Sequence, residues 1–251
     1  SPHQVHGNRV VQVGRQAGLQ VRRRRPGADC EVGDLDLQAG QSAFTITDGT
    51  ESVRFSSRLA GAFQVENALA AIALTAASGY SLRQIAGALA DFPPVTGRME
   101  QIPLPNGAMG IVDYAHNPDG LRHVLSACRS FCGGNLHVVF GCGGDRDKGK
   151  RPLMGSIAAE LADVCWVTSD NPRTENTEQI LSDILAGMPD DAAIVHSDTD
   201  RAAAIRAAVG VSGPGDVVVV AGKGHEDYQI IGHTKHVFSD QAVLRSLIKE
   251  S

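Results

Sequence analysis

The stretch Leu136-His-Val-Val-Phe140-Gly-Cys-Gly-Gly144-Asp-Arg-Asp-Lys-Gly149-Lys-Arg-Pro-Leu-Met154 decides the fold. It begins as a short apolar run with strand character and passes through a loop of glycine and alternating charge. It then enters a helical pattern in which Pro152 suits a first turn and Leu153, Met154, Ile157 and Leu161 follow at helical spacing. Outward from this unit the alternation repeats. Ala108 to Val112, Val164 to Thr168, Ala193 to His196 and Val217 to Ala221 read as strands. Leu121, Val124, Leu125 and Cys128 mark a helix at i, i+3, i+4, i+7, Ile180, Leu181, Ile184 and Leu185 another, and Ala242 to Ile248 a last one. Strands and helices alternating in this way predict an α/β domain with a mainly parallel sheet covered on both faces.

Upstream the period changes. Val10 to Val13, Leu19 to Arg23, Glu31 to Leu37, Ala43 to Thr47 and Ser52 to Phe55 are short runs separated by turn signals, so the first sixty residues read as β-rich. Val65 to Ala77 then reads as a helix, with Leu69, Ile72, Ala73 and Ala76 on one face and Gly79 as its stop. Ser81 is placed to cap a second helix carrying Leu82, Ile85, Ala86 and Leu89, which Asp91-Phe-Pro-Pro94 ends. A boundary at Pro93 to Thr96 divides the chain into residues 1–95 and 96–251.

Composition excludes several classes. At 251 residues, 42% hydrophobic and 20% charged, the chain has the make-up of one or two globular domains rather than a disordered or fibrous one. A net charge of −5 gives no general attraction to nucleic acid or anionic membrane. The basic run Arg22 to Arg25 has no interleaved aromatics and reads as a solvated strand end. No run of ~18 apolar residues predicts a membrane span. Five cysteines (Cys30, Cys128, Cys132, Cys142, Cys165) without C-x-x-C spacing read as reduced thiols of a cytoplasmic protein rather than a zinc site. The chain opens on Ser1 with no signal peptide after it, as a processed product or fragment would. Glycine is over-represented, 28 residues in 251 where ~7% is usual.

In parallel sheets ligands bind beyond the carboxyl ends of the strands. There the sequence places Asp113 to Gly120, Gly141 to Arg151, Ser169 to Glu175 and Gly222 to Asp227, each dense in charge or glycine. Gly144, Gly149 and Lys150 match G-x-x-x-x-G-K, but Arg151 stands where a P-loop carries the Mg²⁺-holding hydroxyl. The match therefore predicts no P-loop, although an anion site at the start of the following helix is compatible with it. Asp170-Asn171-Pro172-Arg173 combines both charge signs in one turn. Asp170 or Glu226 suits an ammonium, and Arg146 or Arg173 a carboxylate, so the set fits a zwitterionic amino acid better than a phosphate ester. His116 and His225 are assigned hydrogen-bonding roles in preference to acid–base or metal-ligating ones.

These motifs, with Leu59 to Asn67 and Gly97-Arg98-Met99-Glu100, resemble the C-terminal half of the Mur ligases, most of all the MurE branch. The resemblance implies a Rossmann-like C-terminal domain preceded by the tail of a central ATPase domain. It implies an ATP- and Mg²⁺-dependent ligase of peptidoglycan precursor synthesis that joins meso-diaminopimelate to UDP-MurNAc-L-Ala-D-Glu through an acyl phosphate, working as a monomer. It assigns Arg146, Asp170, Asn171, Arg173, Gly222 and Glu226 to the amino acid, with Arg173 as the mark of diaminopimelate users. It assigns Asn67, Arg98, Asp113 and His116 to the adenosine or phosphates. Gln64 departs from the family's usual Asn. The family's P-loop, carbamylated lysine, metal ligands and uridine-binding domain have no counterpart in this sequence, so the resemblance implies that this stretch alone does not catalyse ligation. The competing readings are a binding module that retained the fold, and an NTPase that uses Gly144 to Lys150.

Overall fold

The computed structural model describes residues 31–38, 41–49, 51–58, 61–189 and 193–249. The expected strands at Val10 to Val13 and Leu19 to Arg23, the basic run Arg22 to Arg25 and Cys30 lie outside them. The chain divides into two compact units, Ser1–Pro93 and Pro94–Ser251.

In the first unit β1 (Glu31–Gln38), β2 (Gln41–Thr47) and β3 (Ser52–Ser57) form an antiparallel meander. Strand alternation turns Phe44, Ile46, Val53 and Phe55 inward, and the Phe44 and Phe55 rings stack with centroids 5.5 Å apart. Val65, Ala68, Leu69 and Ile72 of α1 (Ala62–Ala77) and Leu82 and Ile85 of α2 (Leu82–Ala90) close this core. Ser81 caps α2 as expected. Its hydroxyl accepts from the Gln84 N–H, and the Gln84 side chain accepts from the Ser81 N–H, a reciprocal capping box.

The second unit is built on a six-stranded sheet of order β4-β5-β9-β6-β7-β8. β4 (Glu100–Pro103) is antiparallel to β5 (Met109–Asp113), and the other neighbours, β6 (Leu136–Phe140), β7 (Val164–Thr168), β8 (Ile194–Asp198) and β9 (Val217–Ala221), run parallel. α3 (Pro118–Arg129), α4 (Lys150–Leu161) and α5 (Thr177–Leu185) pack side by side, and α6 (Arg201–Val211) packs with α7 (Asp240–Lys249). Val112, Val139, Trp166, Val218 and Val220 meet Ala204, Ile205, Ala208 and Leu244 of α6 and α7, so alternate residues of the same strands face the other helix layer. β6, β7 and β9 are buried at every position, which is why they read as continuous apolar runs. A hairpin, β10 (Tyr228–Ile231) and β11 (Thr234–Val237), follows β9. Its two-residue turn opens on Gly232 at φ 60°, a conformation that favours glycine.

The strands and helices expected after residue 96 are present. Four elements add to them: β4, α6 and the two hairpin strands. No described helix is long and apolar enough to cross a membrane. Cys128, Cys132, Cys142 and Cys165 are free thiols.

Candidate functional site

The order β5-β9-β6-β7 sets four strand exits side by side on one edge of the sheet. Each exit releases its chain into one of the charged loops singled out from the sequence. Asn171, just past β7, is the knot between them. Its side-chain oxygen accepts from Lys223 Nζ at 2.9 Å and from the Ile230 N–H at 2.9 Å, while its amide nitrogen donates to Glu226 Oε2 at 3.0 Å. One buried amide therefore joins the β7 exit, the β9 exit and β10. Lys223, fully buried, also donates to the Tyr228 carbonyl at 2.9 Å, and its ammonium lies 3.8 Å from Asp170 Oδ1 and 3.7 Å from Glu226 Oε2. Burial pulls its pKa down from the ordinary lysine value and Asp170 and Glu226 push it back up, with Arg201 adding to the lowering.

Glycines let these loops close. Gly222 has φ 117°, and a Cβ there would lie 2.7 Å from Asp170 Oδ2, so only glycine lets that carboxylate rest over the backbone. At Gly143 a Cβ would lie 2.9 Å from Arg173 Nη1 and 3.6 Å from Arg146 Cγ, so both arginines pass over a bare backbone. Arg173 has φ 53° and is held on both sides. Its N–H donates to the Ile230 carbonyl at 3.0 Å, its own carbonyl accepts from the Gly232 N–H at 2.7 Å, and Nη1 donates to the Gly144 carbonyl at 2.8 Å. Arg146 is exposed and has no hydrogen bond or ion pair to a described residue.

Buried ion pairs brace this edge from below. Arg151, fully buried, donates to Glu175 Oε1 and Asp183 Oδ2, both at 2.9 Å. It therefore ties the glycine loop's helix to the β7 exit instead of supplying a P-loop hydroxyl. Lys150 Nζ is taken by the His116 carbonyl at 2.7 Å. The Arg151 hydrogen bond, then the Asp145 N–H, pull the Glu175 pKa down to about 2. On the other face Arg201 pairs with Asp240 and also donates to the Ser169 and Ala221 carbonyls, at 3.2 and 2.9 Å. Those carbonyls immediately precede Asp170 and Gly222. Gln229 of β10 reaches back to Ser169 Oγ at 2.7 Å and to the Asp170 carbonyl at 2.8 Å.

A second cluster surrounds Tyr114 at the β5 exit. The Arg98 guanidinium lies 4.9 Å from the ring centroid, and the His116 and His225 rings lie 4.7 and 5.2 Å away. His116 Nδ1 pairs with the Tyr114 carbonyl at 2.8 Å. Asp113 sits behind the cluster and accepts from the Met99 N–H at 2.8 Å and the Ala115 N–H at 2.9 Å. Burial outweighs these bonds and raises its pKa. Asn67 is exposed on α1 of the first unit.

The structure thus gathers Asp170, Asn171 and Glu226 around one ammonium, with Gly222 under Asp170 and Arg173 two residues beyond Asn171 on the same loop. Arg98, Asp113 and His116 form a separate group one strand away. Sequence reasoning missed Lys223, Arg201, Asp240 and Gln229. Lys223 stood inside a quoted motif, but nothing in a sequence separates a buried lysine from a solvated one. Among the described residues no group of three or more His, Cys, Asp or Glu could hold a metal ion.

Residues 97–224 match the family described as Mur ligase, glutamate ligase domain. A Thermosynechococcus vestitus protein named UDP-N-acetylmuramoyl-L-alanyl-D-glutamate–2,6-diaminopimelate ligase is 49% identical over 225 residues, which are 89% of this chain and 45% of that one. A protein of the same name from Geobacillus kaustophilus is 46% identical, over 90% of this chain and 46% of its own. A solved structure with that name superposes with a TM-score of 0.68 at 38% identity, covering 90% of this chain and 46% of that one. The UDP-N-acetylmuramate-alanine ligase of Thermotoga maritima, 18% identical, shares the fold with a TM-score of 0.62 over 90% of this chain and 46% of its own. The chain spans about half the length of the curated relatives it matches. From the strand exits of its parallel sheet to the sequence of the loops that leave them, the chain belongs to the Mur ligase family.

Proposed function

We propose that residues 96–251 form the amino-acid-binding domain of a Mur ligase that joins meso-diaminopimelate to UDP-MurNAc-L-Ala-D-Glu. Residues 1–95 are assigned to the C-terminal part of its central ATP-binding domain. The observation that carries the reading is the division of charge at one sheet edge. Asp170 and Glu226 stand on one side, while Arg146 and Arg173 pass over Gly143 on the other. Each end of meso-diaminopimelate bears an ammonium and a carboxylate. Carboxylates hold the ammonium, and planar guanidinium groups suit the carboxylate. Lysine lacks the second carboxylate and would leave an arginine without a partner.

On this reading ATP, with the Mg²⁺ that Mur ligases as a family use, activates the D-glutamate carboxylate as an acyl phosphate. The amino group of meso-diaminopimelate attacks that carbonyl, the amide forms and phosphate leaves. The work assigned to this chain is positioning. Asp170 and Glu226 fix the far ammonium, with Gly222 leaving room for the first carboxylate and Asn171 donating to the second, and Arg146 and Arg173 fix the far carboxylate, so that the near amine is presented for attack. Asn67, Arg98, Asp113 and His116 are assigned to the nucleotide. The protein is read as a cytoplasmic monomer.

Isothermal titration calorimetry of this chain tests the reading. Expected is saturable binding of meso-diaminopimelate, binding of D,L-lysine at least ~10-fold weaker from the unpaired arginine, and loss of the preference in Arg173→Ala. Equal affinity for the two amino acids, or none for meso-diaminopimelate, would refute it. Unchanged ATP affinity in Lys150→Ala would dispose of the NTPase alternative.

A further inference from the structure

Two carboxylates converge at the β7 and β9 exits, and a single ligand ammonium does not balance both. The cation that completes the balance is already there. Lys223 has no solvent exposure, and its ammonium is enclosed by four oxygens from three segments: Asn171 Oδ1 and the Tyr228 carbonyl at 2.9 Å, Glu226 Oε2 at 3.7 Å and Asp170 Oδ1 at 3.8 Å. The Tyr228 ring covers it at 6.0 Å. The charged groups around it are Asp170, Glu226, Arg201 and Asp240. Arg201 and Asp240 neutralise each other through a two-pronged pair at 2.8 Å, which leaves Lys223 facing two negative charges. An ammonium buried this deeply costs several kcal/mol unless it is compensated. Its place at the centre of the charged cluster therefore calls for a reason beyond packing.

We propose that Lys223 is a resident cation of the amino-acid site, a positioning residue that neutralises one of the Asp170 and Glu226 carboxylates so that the site accepts one further ammonium. Through Asn171, which accepts from Lys223 and donates to Glu226 Oε2, it also fixes the Glu226 carboxylate. The proposal rests on the amino-acid reading above for the identity of the ligand, but its charge balance does not need the ligand.

The experiment is a four-member cycle in the full chain: unchanged protein, Lys223→Met, Glu226→Gln and Lys223→Met/Glu226→Gln. Thermal unfolding is followed by fluorescence of the sole tryptophan, Trp166 in the second unit, and meso-diaminopimelate affinity by calorimetry. With Lys223 removed, two carboxylates face each other uncompensated. The unfolding midpoint is expected to fall by about 5 °C or more, and ligand affinity to weaken at least ~10-fold. The double variant keeps one net negative charge, so it is expected to regain part of both losses, and Lys223→Arg to keep part of each.

A purely structural role predicts the opposite, with the double variant worse than either single one in both readouts, and that outcome overturns the proposal. If Lys223→Met cannot be purified, recovery of a folded double variant supports it, and failure of both overturns it. Rescue of the unfolding midpoint in a chain that binds no meso-diaminopimelate would leave the resident cation standing and remove the amino-acid reading. Binding without rescue would do the reverse.

Discussion

Replacing Arg201 should both unfold the second unit more easily and loosen the site without touching a ligand. The guanidinium is fully buried and makes four hydrogen bonds. Nε and Nη2 donate to the two Asp240 oxygens at 2.8 Å, Nη2 also to the Ala221 carbonyl at 2.9 Å, and Nη1 to the Ser169 carbonyl at 3.2 Å. Arg201→Met keeps the aliphatic stem but leaves Asp240, itself fully buried, as an uncompensated charge, and strands two carbonyls at the ends of β7 and β9. Breaking one side of a buried pair costs about 3–5 kcal/mol. The stranded carbonyls add about 1 kcal/mol or more between them. With a urea m-value of about 2 kcal/mol/M, a loss of about 4 kcal/mol lowers the midpoint by about 2 M. Trp166 is the reporter, because it lies in the same apolar cluster as Ala204 and Ile205 of α6, the helix that Arg201 opens. Arg201→Lys should fall between, since one ammonium cannot replace three donor nitrogens arranged as a planar fork. A midpoint for Arg201→Met within about 0.3 M of the unchanged protein would refute the argument. So would equal losses for Met and Lys, since keeping a positive charge beside Asp240 would then count for nothing.

Three further outcomes are expected. Gly222→Ala meets both a φ of 117° and Asp170 Oδ2 at 2.7 Å. It should cost about 1–3 kcal/mol in urea unfolding and weaken meso-diaminopimelate binding by displacing that carboxylate, whereas an unchanged midpoint and affinity would show that the carboxylate moves freely. Arg173→Ala should lose about 2–5 kcal/mol of diaminopimelate affinity if its guanidinium pairs with a buried carboxylate; calorimetry showing a loss no larger than that for lysine would remove Arg173 as the selector. Glu175 has a folded pKa of about 2, below its ordinary value, so its contribution to stability is complete above about pH 4.5 and fades as pH falls toward 2. Glu175→Gln should therefore narrow its stability difference from the unchanged protein across that window, and a difference independent of pH would contradict the pairing with Arg151.

The alternation of apolar runs and helical spacing was enough to place the parallel sheet, because β6, β7 and β9 are buried on both faces and carry little but Val, Leu, Phe, Cys and Trp. The elements that escaped have weak patterns for physical reasons. α6, Arg-Ala-Ala-Ala-Ile-Arg-Ala-Ala-Val-Gly-Val from Arg201, is too rich in small apolar residues to show one face. β10 and β11 are four residues each, and their exposure is nearly uniform, so neither alternates. β4 begins on the last residue of a charged motif, Glu100, and ends on Pro103.

The same missing elements explain what was misjudged at the site. Read along the chain, Asp170, Asn171, Arg173 and Glu226 look like four groups waiting for a ligand. In the fold, Asn171 spends its oxygen on Lys223 and Ile230 and an amide hydrogen on Glu226. One of those three partners, Ile230, comes from β10, which no periodicity announced. Arg173 is likewise fixed by β10 and its turn, through the Ile230 carbonyl and the Gly232 N–H. The hairpin therefore acts as the outer wall that sets the orientation of the motif on β7, and a motif's residue types do not reveal which of its polar atoms a neighbouring element has already taken. Beyond those contacts the carboxylates of Asp170, which is buried, and Glu226, which is half-buried, and the remaining nitrogens of Arg173 keep capacity for a partner, and the exposed Arg146 has no ion pair to a described residue. On the proposed reading, that unspent charge, two acids near Lys223 and two guanidinium groups over Gly143, is what an amino acid with an ammonium and a carboxylate at each end would meet.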